Sequence, residues 1–390
     1  MPFAAATSTK ADTATAFDEA IRQALDQLPQ PELAAIYYSP HYLPNLNDVF
    51  ATTRKQLAST VIFGGVGEAI AGDDREIENG PAVSVWLASW NGAVACDQFH
   101  LAARRTPDGV SLLGWPDSAL EADPKQSTML LVGDPHTFPI TELFLPQLND
   151  DFAGLPVFGG MCSGTQIRGQ TALLANDRVV KSGAVGVLLR GPAKVRGVVS
   201  QGCRPIGRPM VVTKARENLI LELGGRSPLD QLRALWPTLS ERDRELFQNG
   251  PHLGTAINEY RDSFGRGDFL VRNLFGFDTG SGALAVTDYV RVGQTVQFHV
   301  RDAETADEDL KEMLAAVQAT HADPLGAALL FSCNGRGTRL FDEPNHDAAT
   351  IQRAVGRVPL AGFFAAGELG PVGGRNFIHG FTASVALFEK

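Results

Sequence analysis

Val358-Pro359-Leu360-Ala361-Gly362-Phe363-Phe364-Ala365-Ala366-Gly367-Glu368-Leu369-Gly370-Pro371 is the stretch whose reading decides the fold. It continues as Val372-Gly373-Gly374-Arg375-Asn376-Phe377-Ile378-His379-Gly380-Phe381. An apolar strand runs into a glycine-rich turn bearing one acid, Glu368. A second glycine cluster then presents Arg375, Asn376 and His379, and a last apolar run ends at Phe388. Strand, glycine turn and polar residue form a unit that recurs in the chain.

Thr60-Val61-Ile62-Phe63 stops in Gly64-Gly65-Val66-Gly67-Glu68, and Leu155-Pro156-Val157-Phe158 runs into Gly159-Gly160-Met161-Cys162-Ser163-Gly164. Pro156, Gly159 and Gly164 match Pro359, Gly362 and Gly367 at one constant offset. The order of elements around them repeats as well. Met129 to Val132, a helix, Pro156 to Gly164 and a closing hairpin form one set. Leu329 to Cys333, a helix capped by Asp347, Pro359 to Gly367 and a closing hairpin form the other. The pattern predicts an internally duplicated α/β fold. It has two mixed β-sheets packed together, helices on the outer faces and a pseudo-twofold relation.

Elsewhere the periodicity predicts a helix with Phe17, Ile21, Ala24, Leu25 and Leu28 on one face, preceded by a disordered tail over residues 1–12. Asn47 or Asp48 is placed to cap a helix ending near Leu57. Ser227-Pro228 is an N-cap and first-turn pair for a helix to Trp236, and Ser240 to Phe247 forms the next. Runs at Phe269–Leu274, Ala283–Val286 and Thr295–Val300 read as a three-strand meander. Gly224-Gly225 marks a boundary. The organisation expected is an N-terminal tail and helix over 1–32, a first domain over 33–224 and a second over 225–390.

The 390 residues suffice for a large core, and the composition is 44% hydrophobic and 20% charged, ordinary for a globular chain. A net charge of −10 disfavours nucleic acid and anionic membrane as partners. The cysteines at 96, 162, 203 and 333 are far apart and form no CxxC pair, so neither a zinc site nor another metal centre is expected. No apolar run reaches the length of a membrane span, and residues 1–12 have neither the basic start nor the apolar run of a secretory signal. The reading is a reduced cytoplasmic protein that needs no cofactor.

Ser332-Cys333-Asn334-Gly335-Arg336-Gly337 follows a buried strand. Glycines there let backbone N–H groups approach an anion, and Arg336 could fork onto a carboxylate. Glu368 could hold an ammonium group, so the two residues would suit the ends of a zwitterion. The same pocket would draw Gln201 and Cys203 from the corner Gln201-Gly202-Cys203-Arg204, Ser163 from the loop at 159–165, and Arg375 with Asn376 from the closing stretch. Cys203 and Cys333 are the candidate nucleophiles if the protein is a thiol enzyme, with His346 or His379 as base. Ser163 lacks the flanks of a nucleophile elbow, and the glycine sets fit neither nucleotide-binding pattern. No catalytic motif stands out, and the expectation is a protein that is not an enzyme.

These motifs, with Gly183-Ala184-Val185-Gly186-Val187, Ser200-Gln201-Gly202-Cys203-Arg204-Pro205-Ile206-Gly207, Val212-Thr213-Lys214-Ala215-Arg216-Glu217-Asn218 and Arg272-Asn273-Leu274-Phe275-Gly276, make the chain resemble the FIST-domain family over roughly residues 33–388. These are intracellular sensory proteins of bacteria, joined to F-boxes in eukaryotes. The N-terminal FIST domain resembles 33 to about 224 and the C-terminal one the remainder. The resemblance implies a bound small molecule, with amino acids or their derivatives the usual proposal, and a signalling partner protein. No F-box-like, kinase, cyclase or methyl-accepting segment is legible, so the output stays undefined. Two other readings remain at this point. One is a cysteine-dependent enzyme acting on an amide or amino-acid-like substrate, and the other is a protein-interaction module.

Overall fold

The computed structural model describes residues 2–107, 109–320 and 323–390. The chain divides into two compact units. The larger comprises Met1–Val199, Leu310–Ile378 and Thr382–Lys390, and the smaller comprises Ser200–Asp309 with His379–Phe381. The domain boundary read at residue 224 lies inside the smaller unit.

The larger unit is α/β, with mixed sheets packed together and helices on the outside. It is built from one supersecondary unit used three times. Leu33–Tyr38, a helix at Leu46–Gln56 and Val61–Val66 form the first, with the two strands parallel. Ser127–Gly133, the helix Leu145–Asp151 and Val157–Met161 form the second. Leu325–Cys333, the helix His346–Val355 and Leu360–Ala365 form the third. Each is followed by a small hairpin and a return strand antiparallel to its first strand: Val83–Ala88, Ala184–Arg190 and Thr382–Glu389. The expected duplication is therefore a triplication, and the larger unit holds three sheets. The stretch at 61–68, which appeared as an isolated copy, is a complete repeat whose helix and return strand carry little sequence likeness to the others.

The hairpins are exchanged in a cycle. The first repeat's hairpin adds to Leu360–Ala365 of the third, the third's to Val157–Met161 of the second, and the second's to Val61–Val66 of the first. No repeat completes its own sheet, so each depends on the other two. The relation between repeats is threefold in topology.

The paired glycines lie within the strands, not in turns after them. Ile36 and Gly64, Leu131 and Gly159, and Leu330 and Gly362 are register partners in the three parallel pairs. A Cβ on Gly362 would sit 1.8 Å from the Leu330 carbonyl oxygen, and one on Gly159 would sit 1.7 Å from that of Leu131. Only a residue without a side chain allows that approach. The shared glycine is thus the imprint of one packing geometry made three times.

Strand alternation then sorts the core. Leu130, Val132, Leu329 and Phe331 point into a central cluster with Tyr37, Phe63, Trp86 and Phe363. Met129 and Leu131 face the opposite way, onto Phe144, Leu145 and Leu148. Ala328 and Leu330 face Leu310, Leu314, Ala348 and Ile351. Tyr37 packs on Phe363 and Phe331 at ring-centroid distances of 5.2 and 6.0 Å.

The N-terminal residues are not a disordered tail. Phe3–Ser8 is a strand paired antiparallel with Val83–Ala88, and Phe3, Ala4, Ala5 and Ala6 are buried. Phe3 stacks on Trp86 and meets Phe388, which anchors the segment. The helix Thr13–Gln27 follows with Asp12 as its N-cap, its carboxylate accepting from Thr15 N at 2.9 Å.

The smaller unit is a closed six-stranded barrel with a core of Ile206, Val212, Ile220, Leu253, Val296 and Phe298. The helix Pro228–Leu235 has the expected cap, Ser227, whereas Ser240, read as the first residue of the next helix, is the N-cap of Glu241–Asn249. The meander is corrected. Phe269–Phe277 pairs with Leu284–Val286, whereas Thr295–Arg301 pairs with Pro251–Ala256 and with Cys203–Arg216. Barrel closure joins strands far apart in sequence, which apolar runs alone do not report.

Candidate functional site

The three first strands end at equivalent places, and their ends differ in chemistry. Three residues past Ile36, Leu131 and Leu330 stand Ser39, Asp134 and Cys333. Ser39 Oγ accepts from Ala82 N at 3.0 Å, and Asp134 accepts from Thr137 Oγ1 and, at 3.4 Å, from His136 N. The first end is closed by the residue preceding the return strand and the second by its own loop. At the third end, ionisable groups gather in the interior.

Arg336 is fully buried. Its guanidinium donates to Asp347 through Nε to Oδ2 and Nη2 to Oδ1, each at 2.7 Å. Ser332 Oγ adds a third bond to Asp347 Oδ2 at 2.7 Å, and His346 Nδ1 lies 2.9 Å from Oδ1. Phe341 stacks on His346 with centroids 3.4 Å apart and lies under Arg336, 5.2 Å from its Cζ. Burial alone would raise the Asp347 carboxyl, but the Arg336 guanidinium overrides it and holds Asp347 well below the usual carboxylate range. The same partner keeps Arg336 charged against its own desolvation. Asp347 was read as the cap of its helix. The N-cap position belongs instead to Asn345, in a left-handed conformation, and Asp347 turns inward from the first turn.

Two further acids adjoin this pair. Glu76, on the first repeat's exchanged hairpin, accepts from Ala348 N at 2.9 Å through Oε1. Burial, reinforced by the nearby Asp347 charge, pushes it up to about 8. Glu368 is fully buried, and its Oε2 accepts from Thr382 N at 3.1 Å and Thr382 Oγ1 at 2.8 Å. Among the described residues its Oε1 has no nitrogen or oxygen partner. Burial pushes Glu368 up to about 8, against the opposing pull of Thr382, Cys333 and Arg336.

Cys333 Sγ is 3.8 Å from Asn334 Oδ1. Arg339, 55% exposed at its side chain, donates to the Asn334 carbonyl at 2.6 Å and pairs with Glu68. Glu68 N in turn donates to Ser163 Oγ at 2.7 Å. Cys333, Asn334, Arg339, Glu68 and Ser163 are thus connected, drawn from all three repeats.

The expected residues divide accordingly. Ser332, Cys333, Asn334, Arg336 and Glu368 share one locus. Arg336 is not available to a ligand as expected, because Asp347 occupies its fork. Ser163 Oγ is spent between Glu68 N and the Phe364 carbonyl. Asn376 is also consumed structurally. Its side chain accepts from Val157 N at 2.9 Å and donates to the Leu155 carbonyl at 2.8 Å, pinning the exchanged hairpin to the second repeat. Arg375 is exposed at the hairpin turn, 4.0 Å from Asp150. Gln201 and Cys203 belong to the barrel unit, where Gln201 Nε2 donates to the Phe269 carbonyl at 2.8 Å. Sequence reasoning missed Glu76, Thr382 and Arg339 as site members. No local pattern marks a hairpin acid or a strand-end threonine, since only the hairpin exchange and strand pairing bring them here.

A three-repeat α/β unit with a buried charged cluster at one strand end, together with a six-stranded barrel, is the class defined by this architecture. Residues 32–226 match the FIST N domain and residues 229–371 match the FIST C domain, so the chain belongs to the FIST family. It is 43% identical over 384 residues to the uncharacterized protein Mb0898c of Mycobacterium bovis, covering 97% of both chains. It is equally 43% identical over 383 residues to the uncharacterized protein Rv0628c of Mycobacterium tuberculosis, covering 98% of both.

Proposed function

We propose that this FIST protein is a sensor for a small polar metabolite, an amino acid or close derivative, held at the third strand end. The observation that carries the reading is Glu368 Oε1, a fully buried carboxyl oxygen with no nitrogen or oxygen partner among the described residues. A buried acceptor without a donor is costly, and an ammonium group supplies both the donor and the charge that would ionise Glu368. With Arg336 committed to Asp347, the ligand carboxylate falls to Arg339. That guanidinium already carries a carboxylate, Glu68, at a half-exposed position where exchange costs little. A cytoplasmic location and a signalling partner protein belong to the same reading, and catalysis is not needed for it. Among the described residues no helix is long and apolar enough to cross a membrane.

The test is a thermal-shift screen of the twenty amino acids on the intact protein, repeated on Glu368→Ala and Arg339→Ala. A ligand at a hundredfold excess over Kd stabilises by roughly 2.7 kcal/mol, and both variants should lose that shift. Absence of a shift with every amino acid, or shifts that survive both substitutions, refutes the reading.

A further inference from the structure

We propose that the barrel unit carries a binding site for a short aliphatic carboxylate, beside a bulge in its strand Cys203–Arg216. The site belongs to the smaller unit, so it stands or falls independently of the sensor reading.

The strand loses register where the site forms. Ile206 pairs with Phe298 and Met210 with Val296, so Gly207, Arg208 and Pro209 stand opposite Gln297 alone. Gly207 is left-handed, with a φ of 67°, and Pro209 has no N–H to give the ladder. The Gly207 carbonyl accepts from Gln297 Nε2 at 2.9 Å, which holds the bulge in place. A bulge of this kind bends its strand and re-aims a side chain. The helix Pro228–Leu235 stands against it, since a Cβ on Gly207 would lie 2.7 Å from Leu235 Cδ1. Bulge and helix together line a cavity of about 280 Å³.

The lining divides into an apolar wall and one cation. Met210, Ala234 and Leu235 supply the wall. The polar donors beside them are engaged, Gln231 Nε2 with the Leu223 carbonyl and Thr238 Oγ1 with that of Leu235, each at 2.7 Å. Arg208 lines the same cavity from the exposed bulge. Arg204, Arg242, Arg261 and Arg272 of this unit each hold a carboxylate. Among the described residues no carboxylate pairs with Arg208. Acids outnumber bases 44 to 34 in the chain, so scarcity is not the reason. An apolar pocket with one unpaired guanidinium selects an apolar anion. A carboxylate fits the guanidinium fork, and its alkyl chain lies along Met210 and Leu235. An alkylamine would be repelled by Arg208, and an alcohol would forgo the charge. Small-molecule sites start at about 300 Å³, so the cavity takes a short chain and not a long fatty acid.

The experiment is a ligand-observed NMR titration of the intact protein with acetate, butanoate, hexanoate and hexanol. Affinity should rise from acetate to hexanoate by up to about fourfold per methylene, as each is taken out of water. Hexanol should bind about tenfold or more weakly than hexanoate, because it lacks the charge-assisted bonds. Arg208→Gln should weaken hexanoate about tenfold or more and bring it level with hexanol. Ala234→Phe, which fills the cavity from the helix, should weaken hexanoate and hexanol alike. Both residues are exposed, so each variant should keep the Tm of the unliganded wild type. An affinity that is flat from acetate to hexanoate reports a bare arginine–anion contact and overturns the proposal. So does wild type that binds no hexanoate, or hexanoate binding that survives either substitution. Hexanoate binding without any amino-acid thermal shift sinks the sensor reading alone, and the reverse result sinks this proposal alone.

Discussion

Replacing Glu368 with glutamine should make the protein more stable, and increasingly so as pH rises. The carboxyl titrates ordinarily at 4.5 and at about 8 in the folded chain, because burial disfavours its charge. Between those values the folded state holds a proton that the unfolded state has released. The contribution is therefore fully present below 4.5 and is lost as pH rises towards 8. Near pH 7 the loss amounts to roughly 3 kcal/mol, growing by about 1.4 kcal/mol per pH unit across the window. Glutamine keeps a carbonyl oxygen for the Thr382 N–H and hydroxyl but does not titrate. Glu76 is present in both proteins, so the difference between them isolates Glu368. Urea denaturation of wild type and Glu368→Gln at several pH values from 5 to 8 measures it. The gap should open with pH at about the stated slope, with m unchanged. A gap independent of pH, or a variant less stable than wild type near pH 8, would show that Glu368 is ionised and well solvated in the folded chain, and the reasoning would fail.

Arg336→Ala strands Asp347 as a buried charge without its partner and should cost about 3–5 kcal/mol, measured by chemical denaturation. If the loss is under 1 kcal/mol, the site is wetter than its geometry implies. Gly362→Ala places a Cβ 1.8 Å from the Leu330 carbonyl, so the parallel pair must separate. The expected outcome is an insoluble chain or one destabilised by more than about 3 kcal/mol, and a soluble variant of unchanged Tm would contradict it. Asn376→Ala leaves Val157 N and the Leu155 carbonyl without their side-chain partner, for a cost of about 2–4 kcal/mol. Hydrogen exchange should show that loss first in the hairpin Glu368–His379 and its neighbour Val157–Met161.

Much of the architecture was legible along the chain. Periodicity marked many of the strands and helices, the cap at Ser227 was placed correctly, and one constant offset linked Pro156, Gly159 and Gly164 to Pro359, Gly362 and Gly367. The first repeat was legible only in its closing strand and glycines, Thr60 to Glu68, since its helix and return strand do not resemble those of the other two in sequence. Phe3–Ser8 was misread because small apolar residues at a chain end give no signal until Val83–Ala88 is there to pair with them.

For the site, the sequence alone brought Ser332, Cys333, Asn334, Arg336 and Glu368 to attention, because each stands where an apolar strand gives way to glycine. It could not say which of them were already engaged. Arg336 and Asp347 are eleven residues apart, and Glu76 and Ala348 are 272 apart. Those distances close only when the helix His346–Val355 docks and the hairpins change places between repeats. Local pattern determines which elements form, because strand and helix periods are properties of neighbouring residues. Which charges meet, and which carboxyl oxygen is left without a donor, is decided by tertiary structure, because burial and partnership are properties of the closed cycle of three repeats.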